Sequence, residues 1–192
     1  VPGDQTPFGT WVEPALLAIN NSGDWAMVAA VDSPSLGFAA PAVLTSFGGD
    51  LPPRYQREVD GVDVTFLIYS DLDLNNHGDM AYSVVHVDPK QPTFINQLFY
   101  NDQPLIRSQD DSPWNFVPGF GPVPYGGIDR VQLNDSGQAL IGSTSPGLPP
   151  VGNAPNLITR LDIDGDQVSG VAVGGAGRIV EDGVVVGWTV EM

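Results

Sequence analysis

The residues best suited to chemistry are acidic and few. Asp162, Asp164 and Asp166, around Gly165, set three carboxylates at alternate positions of one loop. Hard oxygen ligands at that spacing suit Ca²⁺. An EF-type loop takes a further acidic ligand at its twelfth position, which counted from Asp162 is Val173, so that pattern is broken. The competing reading of Asp162–Asp166 is a hairpin turn with solvated carboxylates. Asp71 and Asp73 are a second alternating pair, which a strand would place together on one face.

Acid–base chemistry has only His77 and His86 to draw on. His77 fills a turn position held by Ser22 and Ser136 in related segments, which makes it an exposed loop residue. His86, in Val84-Val85-His86-Val87, is expected to cap a sheet edge or pair with Asp88. A Ser-His-Asp hydrolase would need a nucleophile elbow, and no Gly-x-Ser-x-Gly occurs. Glycoside hydrolysis needs two carboxyls facing each other across a cleft; the glutamates (Glu13, Glu58, Glu181, Glu191) are scattered along the chain. Gly174-Gly175-Ala176-Gly177 lacks the Lys-Ser/Thr of a phosphate loop and suits a turn or a close-packed strand. Trp25 and Trp188 sit inside apolar runs and are expected in the core. Trp114, within Ser112-Pro113-Trp114-Asn115-Phe116, is the candidate for an exposed aromatic contact, unless it anchors its own loop.

Composition narrows the partners. Against 23 Asp and Glu stand 7 Lys and Arg, for a net charge of −16, and Lys90 is the only lysine. A polyanion is repelled by such a surface, which excludes nucleic-acid binding by counterion release and disfavours anionic headgroups. A basic partner surface or a divalent cation fits, with Ca²⁺ the one cofactor the residues allow. Without cysteine there is no disulfide, thiolate metal site or cysteine nucleophile. No apolar run reaches the 18 or so residues of a membrane-spanning helix, so no membrane insertion is expected. The start at Val1-Pro2-Gly3-Asp4 suits a processed protein or an excised fragment.

The elements that must position these residues are strands. Gly (23) and Pro (18) are spread along all 192 residues, as many short strands joined by turns require. Apolar runs of strand length occupy Trp25–Val31, Val43–Phe47, Val62–Tyr69, Met80–Val87, Phe94–Tyr100, Ala139–Ser143, Leu157–Leu161, Val168–Val173 and Val184–Val190. Glu13–Ile19 is the best helix candidate, with Pro14 in its first turn.

One motif recurs. Ile19-Asn20-Asn21-Ser22-Gly23-Asp24 returns as Leu74-Asn75-Asn76-His77-Gly78-Asp79 and as Leu133-Asn134-Asp135-Ser136-Gly137-Gln138, at offsets of 55 and 59 residues. Each copy precedes an apolar run, which describes a hairpin closed by a type I turn with a left-handed glycine in a G1 bulge. Asn20, Asn75 and Asn134 fold back on the local backbone, and Gly23, Gly78 and Gly137 supply positive φ. Two copies match the glycosylation sequon at Asn20 and Asn134, which the turns explain without a glycan. The period holds about four strands, the size of a propeller blade. The expected fold is therefore a single all-β domain over residues 1–192, an antiparallel β-propeller-like repeat of about three to four blades, or else an irregular β-sandwich.

The pattern apolar-Asn-[Asn/Asp]-x-Gly-[Asp/Gln] before an apolar strand resembles the repeats of secreted bacterial β-propeller-like surface proteins. The stretch from Asn96 to Gln138 looks most like one full unit. The resemblance implies an extracellular, periplasmic or cell-surface address and no reaction, so it brings no catalytic residue. The sequence thus points to a non-catalytic structural or binding subunit, with a protein partner or self-assembly through sheet edges. A glycan- or polymer-acting hydrolase and a Ca²⁺-dependent adhesion module are the alternatives.

Overall fold

The structure is a computed structural model and describes residues 1–34, 38–52, 66–87, 94–108, 116–117, 121–122, 124–144, 157–164, 167–181 and 184–191. Every regular element among them is a β-strand, and all strands pair antiparallel. The first sheet runs β1 (Gln5–Thr6), β2 (Gly9–Ile19), β3 (Trp25–Ser33) and β4 (Phe38–Thr45) in chain order. The second repeats the meander with β5 (Phe66–Leu74), β6 (Met80–Val87), β7 (Phe94–Tyr100) and β8 (Gln103–Arg107). A ribbon of β9 (Phe116–Val117) and β10 (Gly121–Pro122) follows. The third sheet holds β11 (Ile128–Leu133), β12 (Gln138–Ser143), β13 (Leu157–Asp164), β14 (Gln167–Glu181) and β15 (Val184–Glu191).

Alternation along each strand gives the sheets apolar faces, and facing ones stack. From the first sheet Ala18, Ala26, Val28 and Val43 meet Leu72, Leu74, Met80, Tyr82 and Val84 of the second. Tyr82 stacks on Phe99 at 5.2 Å between ring centroids and tilts against Tyr69 at 5.5 Å, so offset aromatic contacts add to the area they bury. From the opposite face of the second sheet Ala81, Leu98 and Ile106 meet Ile128, Val131, Ala139, Ile141, Leu157 and Leu161 of the third. The strands that open the repeats, β2, β5 and β11, lie side by side, with β5 against both others.

Several sequence expectations shift. The helix candidate Glu13–Ile19 is the second half of β2, paired with β3 from Glu13↔Ala30 to Ile19↔Trp25. Its Ala-Leu-Leu-Ala-Ile run favours a helix locally, but pairing and burial against the second sheet outweigh that weak preference. Pro14 is tolerated because it adjoins a register shift between Pro14 and Leu16. The run expected over Val43–Phe47 begins earlier, at Phe38, and ends at Thr45; Phe47 lies beyond it and is exposed. The expected strand Val62–Tyr69 extends instead to Leu74, with its first residues outside those described. Val168–Val173 is part of the longer β14, which also takes in the glycine-rich stretch Gly174–Gly177. Trp25 is only half-buried, on the outer face of the first sheet beside Met27, Ala29 and Leu44. The side chain of Trp188, the whole of Trp114 and Asp166 lie outside the described residues.

The turns carry the expected geometry. In the first, the Asn20 N–H donates to Asp24 O (3.0 Å) and the Gly23 N–H to Asn20 O (3.1 Å), the pattern of a type I turn closed by a G1 bulge. Asn75 and Gly78 repeat it at 3.1 and 3.3 Å. Gly23, Gly78 and Gly137 take φ of 84°, 84° and 73°. Asn101 and Asp102, at φ 44° and 70°, make the tighter β7–β8 turn, tolerable because short polar side chains adopt the left-handed region most readily. An added Cβ at Gly78 meets nothing within 4 Å, whereas one at Gly137 meets the Ile163 carbonyl oxygen at 2.8 Å. Gly78→Val is therefore expected to cost ~1–3 kcal/mol through backbone strain. Gly137→Ala adds a backbone clash to that strain. Thermal melts check both; wild-type midpoints in the two variants would contradict the turn assignment.

Candidate functional site: the stacked turns

The three turn asparagines, far apart in sequence, come together at one end of the stacked sheets. Each first serves its own turn. Asn75 Oδ1 accepts the N–H of His77 and of Asp79, both at 2.9 Å, and Nδ2 donates to Asp79 Oδ2 at 2.9 Å. Asn20 does the same with Ser22 and Asp24, and Asn134 with Ser136 and Gln138. This is the ordinary back-bonding of an Asx turn.

The second amide hydrogen then crosses between sheets. Asn20 Nδ2 donates to Asn75 O at 3.0 Å, and Asn75 Nδ2 donates to Asn134 O at 3.3 Å. The next residue runs a parallel rung. The Asn21 N–H donates to Asn76 Oδ1, and the Asn76 N–H to Asp135 Oδ1, each at 2.8 Å. Asn76 Nδ2 adds a bond to Asp135 Oδ2 at 2.7 Å, and His77 Nε2 lies 3.1 Å from Asp135 O. The repeated motif is thus a joint between sheets as well as a turn. Asn20 and Asn75 are buried, so their amides need every one of these partners.

Two residues that the sequence places together on one strand face complete the joint. Asp71 Oδ2 accepts the Val131 N–H at 2.8 Å, and Asp73 Oδ2 accepts the Leu133 N–H at 2.7 Å. β11 is the edge of its sheet, and an edge strand leaves a row of backbone donors open to other chains. The two carboxylates cover that row. Ser70, between the residues Tyr69 and Asp71 where β5 shifts register, contacts Ser83 Oγ (2.6 Å) and Ile128 O (3.4 Å). The alternating Asp pair is the sequence signal for this role.

The remaining sequence candidates disperse. Asp162 and Asp164 lie on β13, where Asp162 Oδ1 accepts Gln138 Nε2 at 2.6 Å and Oδ2 pairs with Arg160 at 3.4 Å. A groove of about 540 Å³ beside them is lined by Ser136, Gly137, Ile163, Val168 and Ser169. Among the described residues no three His, Asp or Glu side chains group to hold a metal ion. His77 is exposed on its turn. The expectation that His86 caps a sheet edge is corrected: β6 is an inner strand, and His86 pairs with both Leu67 and Ile95. Its side chain and Asp88 lie outside the described residues. Asn20, in one sequon, is buried with its amide engaged. No family model matches the chain, and no curated protein matches it either.

Electrostatics follow the hydrogen bonds. Burial alone would raise the Asp79 carboxyl, but donors from Asn101, Asn75 and Tyr100 and the His77 charge hold it below its ordinary value. Backbone and side-chain bonds from Asn76 lower Asp135 likewise. Burial, followed by the Asp79 charge and bond, pushes the Tyr100 hydroxyl up to about 12.

Two outcomes are expected. Asn75→Ala strands the Asn134 carbonyl, two turn N–H groups and a carboxylate, each unmade buried bond costing ~1–3 kcal/mol, so it should lower the melting midpoint well beyond Asn134→Ala at the exposed end. Equal losses in the two variants would contradict the ladder. Carboxylates depressed in the fold stabilise it above their unfolded pKa and cease to as pH falls through the lower folded value. Stability should therefore drop as pH decreases below the ordinary 3.8 of aspartate, and Asp79→Asn with Asp135→Asn should flatten that slope. Tyr100 has the opposite sign, its contribution being lost as pH rises from 10.0 through about 12. Melts across pH read both limbs.

Proposed function

We propose that this chain is a non-catalytic structural or binding subunit of an extracellular or cell-surface assembly, a propeller-like repeat of about three blade-sized sheets. The observation that carries this reading is where the polar side chains spend their chemistry. The side chains of Asn20, Asn75, Asp71, Asp73 and Asp135 all bond to backbone groups of another turn or sheet. Asp71, Asp73 and Asp135, carboxylates of a type that serves acid–base or metal chemistry elsewhere, are occupied in joining repeats. Adjacency of β2, β5 and β11, the strands that lead into the three repeated turns, is the arrangement that inner strands of neighbouring blades adopt. The resemblance of the turn motif to repeats of secreted bacterial surface proteins supports the address. The excess of acidic residues supports solubility outside the membrane and a partner that is not a polyanion.

Two measurements on one sample test the proposal. Protease treatment of intact cells of the native source should remove the protein from the cell surface, or the protein should be found in the medium. The purified chain should leave a panel of polysaccharides and ester substrates unhydrolysed. Retention in the cytosolic fraction, or turnover abolished by Asp164→Asn at the groove beside the third turn, would contradict it.

A further inference from the structure

The repeats differ in what covers them. Three residues and one residue before each turn asparagine stand Leu17 and Ile19, Leu72 and Leu74, Val131 and Leu133. In the second sheet this pair faces the first, and Leu72 and Leu74 are 7% and 5% exposed. In the third it faces the second, with Val131 and Leu133 in the shared core. In the first sheet nothing among the described residues stands before it, and Leu17 and Ile19 are 60% and 65% exposed. The opposite face shows the converse. Ala26 and Ala81 are buried under the following sheet, while Leu140, at the equivalent place in the third, is 41% exposed. Arg130 and Gln132 are exposed there too, where the second sheet has Asp71 and Asp73.

The hydrogen-bond ladder is directional, so its two ends are unlike. Each sheet donates forward, through its turn asparagine Nδ2 and the next residue's N–H, to the following sheet's asparagine carbonyl and adjacent side-chain oxygen. The third sheet therefore ends on forward donors, Asn134 Nδ2 and the Asp135 N–H. The first begins with the matching acceptors, Asn20 O and Asn21 Oδ1. An apolar face with acceptors at one end and a mixed face with donors at the other complement each other by the same pattern that already joins the sheets within the chain.

We propose that a second copy of this chain docks its Leu17–Ile19 face onto the Arg130–Leu140 face of the first, extending the stack head to tail. The inference rests on the assembly reading above and names the partner: self-association through sheet faces. Because the two faces differ, the contact is heterologous and each added copy leaves one face of each kind free. Copies carrying −16 each repel, and salt screens that repulsion, so association rises with ionic strength. A basic partner would show the reverse.

Sedimentation velocity on the purified chain, over a concentration series at low and high salt, is the test. Species growing past the dimer with concentration, and more so in salt, are expected. Leu17→Glu with Ile19→Glu blocks one face, and Arg130→Glu with Leu140→Glu blocks the other. Each variant alone should associate at least ~10-fold more weakly, and an equimolar mixture should form a one-to-one dimer and nothing larger. If a charged variant loses the β-sheet circular dichroism of the wild type, Ile19→Ser and Leu140→Ser, both at exposed positions, take its place. A monomer at every concentration and salt, a blocked variant that associates like the wild type, or a mixture that stays monomeric would overturn the proposal. A monomer found at the cell surface and without hydrolytic activity would leave the assembly reading standing with a different partner.

Discussion

A primary amide has two hydrogens, and the architecture depends on using both. At the first two of the repeated turns one hydrogen of the asparagine closes its own hairpin and the other reaches the next. An aspartate could accept the turn N–H groups equally well, but it has no hydrogen to send across. Serine is too short to span the turn and the joint together. The same side chain therefore couples local geometry to long-range order. A hairpin that folds correctly presents its neighbour with a donor already aimed, so formation of one sheet favours docking of the next.

Stacked meanders create a difficulty that the amide ladder alone does not solve. The second and third sheets open on strands, β5 and β11, with one side unpaired, and unpaired backbone donors invite foreign strands. Between the second and third sheets the answer is Asp71 and Asp73, whose carboxylates accept the outward N–H groups of β11. Between the first and second, the equivalent side chains are Leu16 and Ala18, and the joint is apolar, filled by Tyr69, Tyr82 and Phe99. Two adjacent joints thus share a turn ladder and an apolar interior and differ in what is added, charge-assisted bonds at one and aromatic packing at the other.

How far the sequence disclosed this depends on the range of the interaction. Asn20 and Gly23, with their counterparts, were legible because a turn must satisfy its own φ angles and donors within five residues. Most strands were legible from alternation over similar spans. Glu13–Ile19 misled because its local preference is helical and its partner, β3, lies across the turn. Asp71 and Asp73 were legible only as a pair sharing one strand face, because the N–H groups they serve belong to residues 60 positions later. The Ca²⁺ candidate Asp162 has an amide and a guanidinium for partners, and only the pairing of β12 with β13 brings Gln138 to it. Trp25 reads as core by composition, yet it sits on the outer face of the first sheet.

The central claim is that side chains of one repeat hold the backbone of the next. Amide hydrogen exchange of Val131 and Leu133 tests it most directly, since strand pairing does not protect N–H groups that point away from the sheet. Both should exchange at rates near those of the core of β12, and Asp71→Ala with Asp73→Ala should release them while the β12 amides stay protected. Fast exchange of Val131 and Leu133 in the wild-type chain would contradict the account.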